Sequence, residues 1–274
     1  MRLGKEDVHG NGSPRASGGS VSPPALVFRR ITHSPVFTLG FLLGSFLALQ
    51  CLLPLGTAIK VGADEDFEYA KATLWLKGYH LYTEVWNDQP LLHTFWITQV
   101  LKHVSPSVLG PRLVTSVFTL LLLSSVFFIS RRVHGLGVAA LTTALVIASP
   151  GFLELASSCM VEIPSLAPVL AALAVLAVGT TSRYYLPEII SGALFAAALQ
   201  SKFIGVIYLP LIVLTLWLRQ RPGGMSLQRS AGLCSMPQTP HPSPLPIRWG
   251  LPLRTFIITL CLYINGLCIL WQDA

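Results

Sequence analysis

The chain has 274 residues, a formal net charge of +7, 52% hydrophobic residues and only 11% charged ones. A soluble domain carries about 25% charged residues, whereas a bilayer selects against them because each buried charge there costs several kcal/mol. The apolar residues form long runs with Lys and Arg at their ends, which excludes a nucleic-acid patch and fits the cytoplasmic loops of a membrane protein.

Residues 1–34 are rich in Gly, Ser and Pro and include Arg2, Lys5 and Arg15, the composition of a disordered basic tail held in the cytoplasm. Arg29 and Arg30 precede an apolar run over 36–58. That run is too long for the core of a signal peptide, about 7–15 residues, and reads as a first membrane span.

The stretch 60–111 is too polar to span and too aromatic to be a linker. It contains Asp64, Glu65, Asp66, Glu68, Glu84 and Asp88 among Trp75, Trp86, Trp96 and several tyrosines. The spacing predicts a helix over 65–77, with Phe67, Ala70 and Leu74 as one stripe, ended by Gly78. A second helix is predicted over 91–102, with Leu92, Phe95, Trp96 and Val100 on one side. Both are expected to lie along the outer membrane interface.

Further spans are predicted over 113–130, closed by Arg131 and Arg132, over 136–152, and over 163–180, with Pro164 near its start. A short outer turn holds Glu154 and Cys159, and Arg183 marks a cytoplasmic return. Residues 186–218 are apolar apart from Gln200, Ser201 and Lys202. One helix of that length would reach roughly 50 Å, against a bilayer core of about 30 Å. A break near Ser201, Lys202 and Gly205 divides it into two spans and leaves Lys202 at the outer face. A Pro/Ser-rich cytoplasmic loop over 221–254 and a seventh span within 255–274, read as a truncated end, complete the chain.

The expected fold is therefore all-α: a polytopic bundle of about seven transmembrane helices over 35–220 and 255–274. Its first loop is extracytoplasmic and carries amphipathic interface helices. Every Arg cluster between spans then falls on one side and the acidic loop on the other. The cysteines (Cys51, Cys159, Cys234, Cys261 and Cys268) lack metal-ligand spacing and read as small buried hydrophobes.

The acids gather where the first loop leaves the membrane. A carboxylate there is partly desolvated and suits a general base; the bland reading is an acidic loop that satisfies the charge asymmetry. The run Ala63-Asp64-Glu65-Asp66-Phe67-Glu68-Tyr69-Ala70, with Gly78 fourteen positions after Asp64, Tyr82 beyond it and Gln89-Pro90-Leu91-Leu92 further on, resembles the first-loop signature of the dolichyl-phosphate-mannose-protein mannosyltransferase family. That family includes aminoarabinose transferases within the C-type glycosyltransferase superfamily. Met160-Val161-Glu162-Ile163-Pro164 resembles the acidic position that opens its fourth helix. Ser191-Gly192-Ala193-Leu194 through Leu199-Gln200-Ser201-Lys202 resembles its Gly- and Leu-rich helix ending in lysine. The likeness covers about residues 35–220, the N-terminal part of such a protein.

The resemblance implies an inverting glycosyltransferase of the plasma (inner) membrane, if the source is bacterial. Its donor is a sugar on a polyprenyl phosphate, and its acceptor is a lipid, glycan or protein at the outer face. It implies Asp64 as the base and Glu65 as a helper that orients acceptor or base. Lys202 is the cation for the lipid phosphate, or else a snorkelling lysine at a helix end. Tyr69, Gln89, His93 and Glu162 are carried over as substrate-binding positions. His93 reads first as an interfacial polar residue and only second as a substrate contact, while Glu162 reads equally as a carboxylate favoured by a helix N-terminus. No cofactor is implied with certainty. A divalent metal stays open, although the adjacent Asp64, Glu65 and Asp66 do not all face one way on a helix. Many relatives have Lys where this chain has Gln89, and relatives have more spans. The alternative is a truncated, inactive or non-enzymatic paralogue. A transporter fits least, because its ionisable groups sit near the midplane between repeated halves.

Overall fold

The computed structural model describes residues 34–56, 64–104, 107–179 and 185–220. The predicted tail, the Pro/Ser-rich loop and the seventh span lie outside the described residues. The described chain is helical. In order it forms α1 (Pro35–Leu52), α2 (Glu65–Leu76), α3 (Leu91–His103), α4 (Leu109–His134), α5 (Leu136–Ala148), α6 (Pro150–Ala156), α7 (Glu162–Val178) and α8 (Leu186–Ser201). A 3-10 turn, Phe203–Tyr208, then leads into α9 (Leu209–Gln220).

Two helices, α1 and α4, are long and apolar enough to cross a membrane. A third candidate is α5 with α6, which bend by 73° at their junction. The sequence reads 136–152 as one straight span; Pro150 opens α6 instead, and Ser149 before it is extended, the conformation proline imposes on its predecessor. α7, α8 and Phe203–Arg219 are apolar but shorter. α1 starts with Pro35 at its first turn, where the missing N–H costs nothing.

α7 is the central element. Its Ile163 and Ala167 join Leu42 and Phe46 of α1, Leu123 and Phe127 of α4, and Ile147 of α5 in one core. Its Val169, Ala172 and Leu176 join Phe195 of α8 and Ile212 and Leu216 of α9 in a second. The many alanines let neighbours approach closely. Gly179 permits the tightest approach: a Cβ there would lie 2.9 Å from Cβ of Pro187, at the start of α8.

Polar clasps fix which helix ends meet. At one end, Arg219 donates to the carbonyls of Leu176 at 3.0 Å and Gly179 at 3.1 Å and lies 3.6 Å from Glu188. Arg132 donates to Ala177 O at 3.2 Å there. At the other end, Gln50 donates to Ala156 O at 3.3 Å, and Lys202 pairs with Glu162 at 2.9 Å. α8 therefore runs from the Glu188 end to the Lys202 end, and α9 returns. The chain reverses where Lys202 is extended.

Large apolar side chains are exposed on the outside of the helices, among them Val36, Phe41, Val117 and Leu141. Together with two helices, or three with the bent pair, long and apolar enough to cross a bilayer, this surface is compatible with a membrane location.

Replacing Arg219 by Ala leaves Glu188 buried without its cation. The expected loss is about 3 kcal/mol, read as a lowered melting temperature in detergent. Arg219→Ala combined with Glu188→Gln recovers part of it.

Candidate functional site

α2 opens at Asp64 and has Glu65, Asp66 and Glu68 in its first turn, where the helix dipole favours anions. It ends at Gly78 as the sequence predicts: Gly78 takes φ +94°, and Tyr79 N–H donates to Leu74 O at 3.2 Å. Its amphipathicity is inverted relative to a soluble helix. Phe67, Ala70 and Leu74 are exposed, while Glu65, Glu68, Lys71 and Ala72 are buried. α3 repeats the pattern. Phe95 and Trp96 face outward, and His93, Thr94, Ile97 and Thr98 face inward. An outward apolar stripe suits a lipid interface.

Glu65 is only 3% exposed. Arg112 of α4 grips both of its oxygens, Nε to Oε1 at 2.7 Å and Nη2 to Oε2 at 2.9 Å. The Cys159 N–H donates to Glu65 Oε1 at 2.9 Å, and Arg112 Nη1 donates to Leu55 O at 2.6 Å. Four segments thus meet on one ion pair, and the carboxylate that the sequence nominates as a helper is fully engaged. It can position Asp64 and Glu68 on either side of it in the chain; both its oxygens already serve structural partners. Arg112 itself escapes sequence reasoning, because it stands directly before the predicted span at 113 and reads as a flanking charge.

A cavity of about 260 Å³ lies on the other side of this turn, lined by Asp64, Glu68, Lys71, Asp88, Gln89 and Lys202, with Phe67 and Trp86 also on its wall. Asp64 is exposed. Lys71 Nζ is buried and donates to Glu68 Oε1 at 2.6 Å and Asn87 Oδ1 at 3.2 Å, with Asp88 Oδ1 at 3.7 Å. The loop between α2 and α3 holds these groups in place. Leu81, Val85 and Leu91 form a small core under it, and Tyr82 OH donates to Gln89 O at 2.9 Å. Gln89 Nε2 donates to Asp88 Oδ2 at 3.0 Å, so its amide is turned to its neighbour.

Lys202 reaches the cavity from the α8 reversal, with Glu162 as its partner at the start of α7. The structure thus brings Asp64, Gln89 and Lys202 to one cavity and sets Glu162 beside Lys202. It separates two others. Tyr69 is half-buried against Ala72, Ile97, Leu101 and Cys159. His93 is buried, its Nε2 3.5 Å from Cys159 O and its Nδ1 without a partner. Burial pushes its pKa down to about 4, so it is neutral at neutral pH. Asp64, Glu65 and Asp66 do not converge, and no three His, Cys, Asp or Glu side chains among the described residues form a metal-ligand set.

Glu68, Lys71 and Asp88 are the cavity residues that sequence reasoning passed over. Their signal was spacing: Asp64, Glu68 and Lys71 stand at i, i+4 and i+7, one helical face. Burial pushes the Glu68 pKa up, outweighing the hydrogen bond and charge of Lys71, and Asp88 and Asp64 push the same way. No family model matches the chain, and no curated protein or solved structure matches it.

A raised carboxyl pKa makes a signed contribution to stability. The folded state holds the Glu68 proton more tightly than the unfolded chain, so that stabilisation is complete below the ordinary Glu range. It is lost as pH rises through the raised value. Glu68→Gln is expected to flatten that part of the stability–pH profile, read by thermal melts in detergent across that window.

Proposed function

We propose that the chain is a membrane glycosyltransferase that moves a sugar from a polyprenyl phosphate to a lipid, glycan or protein acceptor, with inversion. The observation that carries the reading is the cavity shared by Asp64, Gln89 and Lys202, residues up to 138 positions apart (202 − 64) that the family resemblance nominates together. An inverting transfer needs a base beside the acceptor and a cation beside the departing phosphate. Asp64 and Lys202 supply one of each in a space fit for a single sugar-sized polar group. The exposed Phe67 and Trp86 on its wall suit contact with sugar or lipid.

In the proposed reaction the acceptor oxygen bonds to the anomeric carbon as the bond from that carbon to the phosphate oxygen breaks. The electron pair leaves with the lipid phosphate, beside Lys202. The hydroxyl proton passes to Asp64. Glu65, locked by Arg112, holds the first turn of α2 so that Asp64 keeps its place. We further propose the seven-span topology, with the cavity end outside the cytoplasm in a plasma membrane. The opposite end carries Arg131, Arg132 and Arg219, the distribution that favours a cytoplasmic side.

Asp64→Asn is expected to lower transfer from a labelled polyprenyl-phosphate sugar by about 10²–10⁴-fold in proteoliposomes; parental activity in this variant refutes Asp64 as the base. Sidedness has its own test. Asp66→Cys, at an exposed position, should react with an impermeant maleimide added outside intact cells, and His134→Cys should react only after lysis. The reverse labelling pattern refutes the orientation.

A further inference from the structure

Glu68 is 4% exposed, and its Oε2 has no hydrogen-bond partner. Buried polar atoms are nearly always bonded, so a bare carboxylate oxygen calls for an explanation such as a catalytic role. Glu68 stands one turn after Asp64, and both line the same cavity. Its other oxygen is fixed by Lys71 at 2.6 Å, and Lys71 is in turn held by Asn87 at 3.2 Å. This is the arrangement of a proton-accepting group held by an orienting partner, which is held by a third.

The charges around Glu68 are mixed. Lys71 from its own helix favours its ionised form; Lys202, on the far wall of the cavity, is paired with Glu162. Asp64 and Asp88 oppose ionisation. Behind it, His93 and Cys159 are both held neutral by burial. Burial prevails over the charge of Lys71 and pushes the group up from the ordinary carboxylate range.

We propose that Glu68, held by Lys71, is a second catalytic carboxylate of this cavity, the group on which the acceptor's proton rests once Asp64 has drawn it from the hydroxyl. The proton travels from the acceptor to Asp64 and on to Glu68 Oε2, directly or through one water. It returns to solvent after the glycosylated product leaves. The bonds made and broken at the sugar are those already given. The inference rests on the glycosyltransferase reading.

The test uses the full chain in liposomes with a labelled polyprenyl-phosphate sugar. Glu68→Gln should lower kcat by about 10²-fold with KM little changed, and should remove Glu68's share of the parent's acidic limb in kcat/KM against pH, leaving the part that Asp64 sets. Lys71→Met strips the carboxylate of its nearest cation and should move that limb to higher pH. It keeps the test open should Glu68→Gln fail to fold, which melts in detergent reveal. A parent that transfers sugar together with a folded Glu68→Gln of equal kcat and unchanged acidic limb overturns the inference and leaves the reading standing. Loss of kcat in Glu68→Gln with an unmoved limb in Lys71→Met makes Glu68 structural and overturns it as well. A parent that transfers no sugar overturns both.

Discussion

Glu65 and Arg112 meet with both charges out of water, and the arrangement of the cavity end follows from their pairing. A buried pair of this kind returns little net stability, since desolvation offsets most of the attraction, but breaking it by removing one partner costs about 3–5 kcal/mol. It therefore acts as a constraint on geometry. The Arg112 fork is planar and holds both oxygens of Glu65, which fixes the rotation of α2 about its axis. The third donor on Leu55 O ties in the segment after α1, and the Cys159 N–H ties in the turn before α7. With α2 so oriented, Asp64 and Glu68 are carried to the far side of the turn, where the polar cavity lies.

The same rotation sets the inverted face of α2, against which α3 packs with its own apolar residues outward. In water, exposing Phe67, Leu74, Phe95 and Trp96 while burying Glu68, Lys71 and His93 forfeits hydrophobic burial and leaves polar groups to be desolvated. On the proposed membrane reading the balance changes: the apolar stripe would face lipid, while Glu68 and Lys71 pair with each other on the inner face.

Helix positions were readable in the sequence because their causes are local. Gly78 ends α2 through a positive φ that the sequence alone suggests, and the excess length of 186–218 foretold the reversal at Lys202. Pro150 within the apolar run over 136–152 was a local break signal that the reading of one span passed over; what the sequence does not give is the 73° angle at which α6 continues. For the site, Asp64 and Lys202 were legible as ionisable groups at the edges of apolar runs. Arg112 was equally close to such an edge, but its role depends on a carboxylate 47 residues earlier. The stripe Phe67–Ala70–Leu74 was visible, whereas the opposite face, where Glu68 and Lys71 lie, reads as solvated surface until the fold encloses it.

The two lysines of the cavity differ in a way that assigns them different work. The Lys71 and Glu68 side chains are 7% and 5% exposed, so separating them strands two desolvated charges. The Lys202 and Glu162 side chains are 25% and 35% exposed, in the regime where an ion pair contributes about 0–1 kcal/mol. An anion entering the cavity displaces Glu162 from Lys202 at small cost, because water can take over the released carboxylate. The same anion cannot draw Lys71 away from Glu68 without leaving that carboxylate bare. On the proposed reading, Lys202 is the exchangeable cation that accepts the lipid phosphate, and Lys71 is the fixed one that holds Glu68. The exposure of each pair, set by whether its lysine lies on a buried helix face or at an open chain reversal, decides which charge is free to exchange its partner.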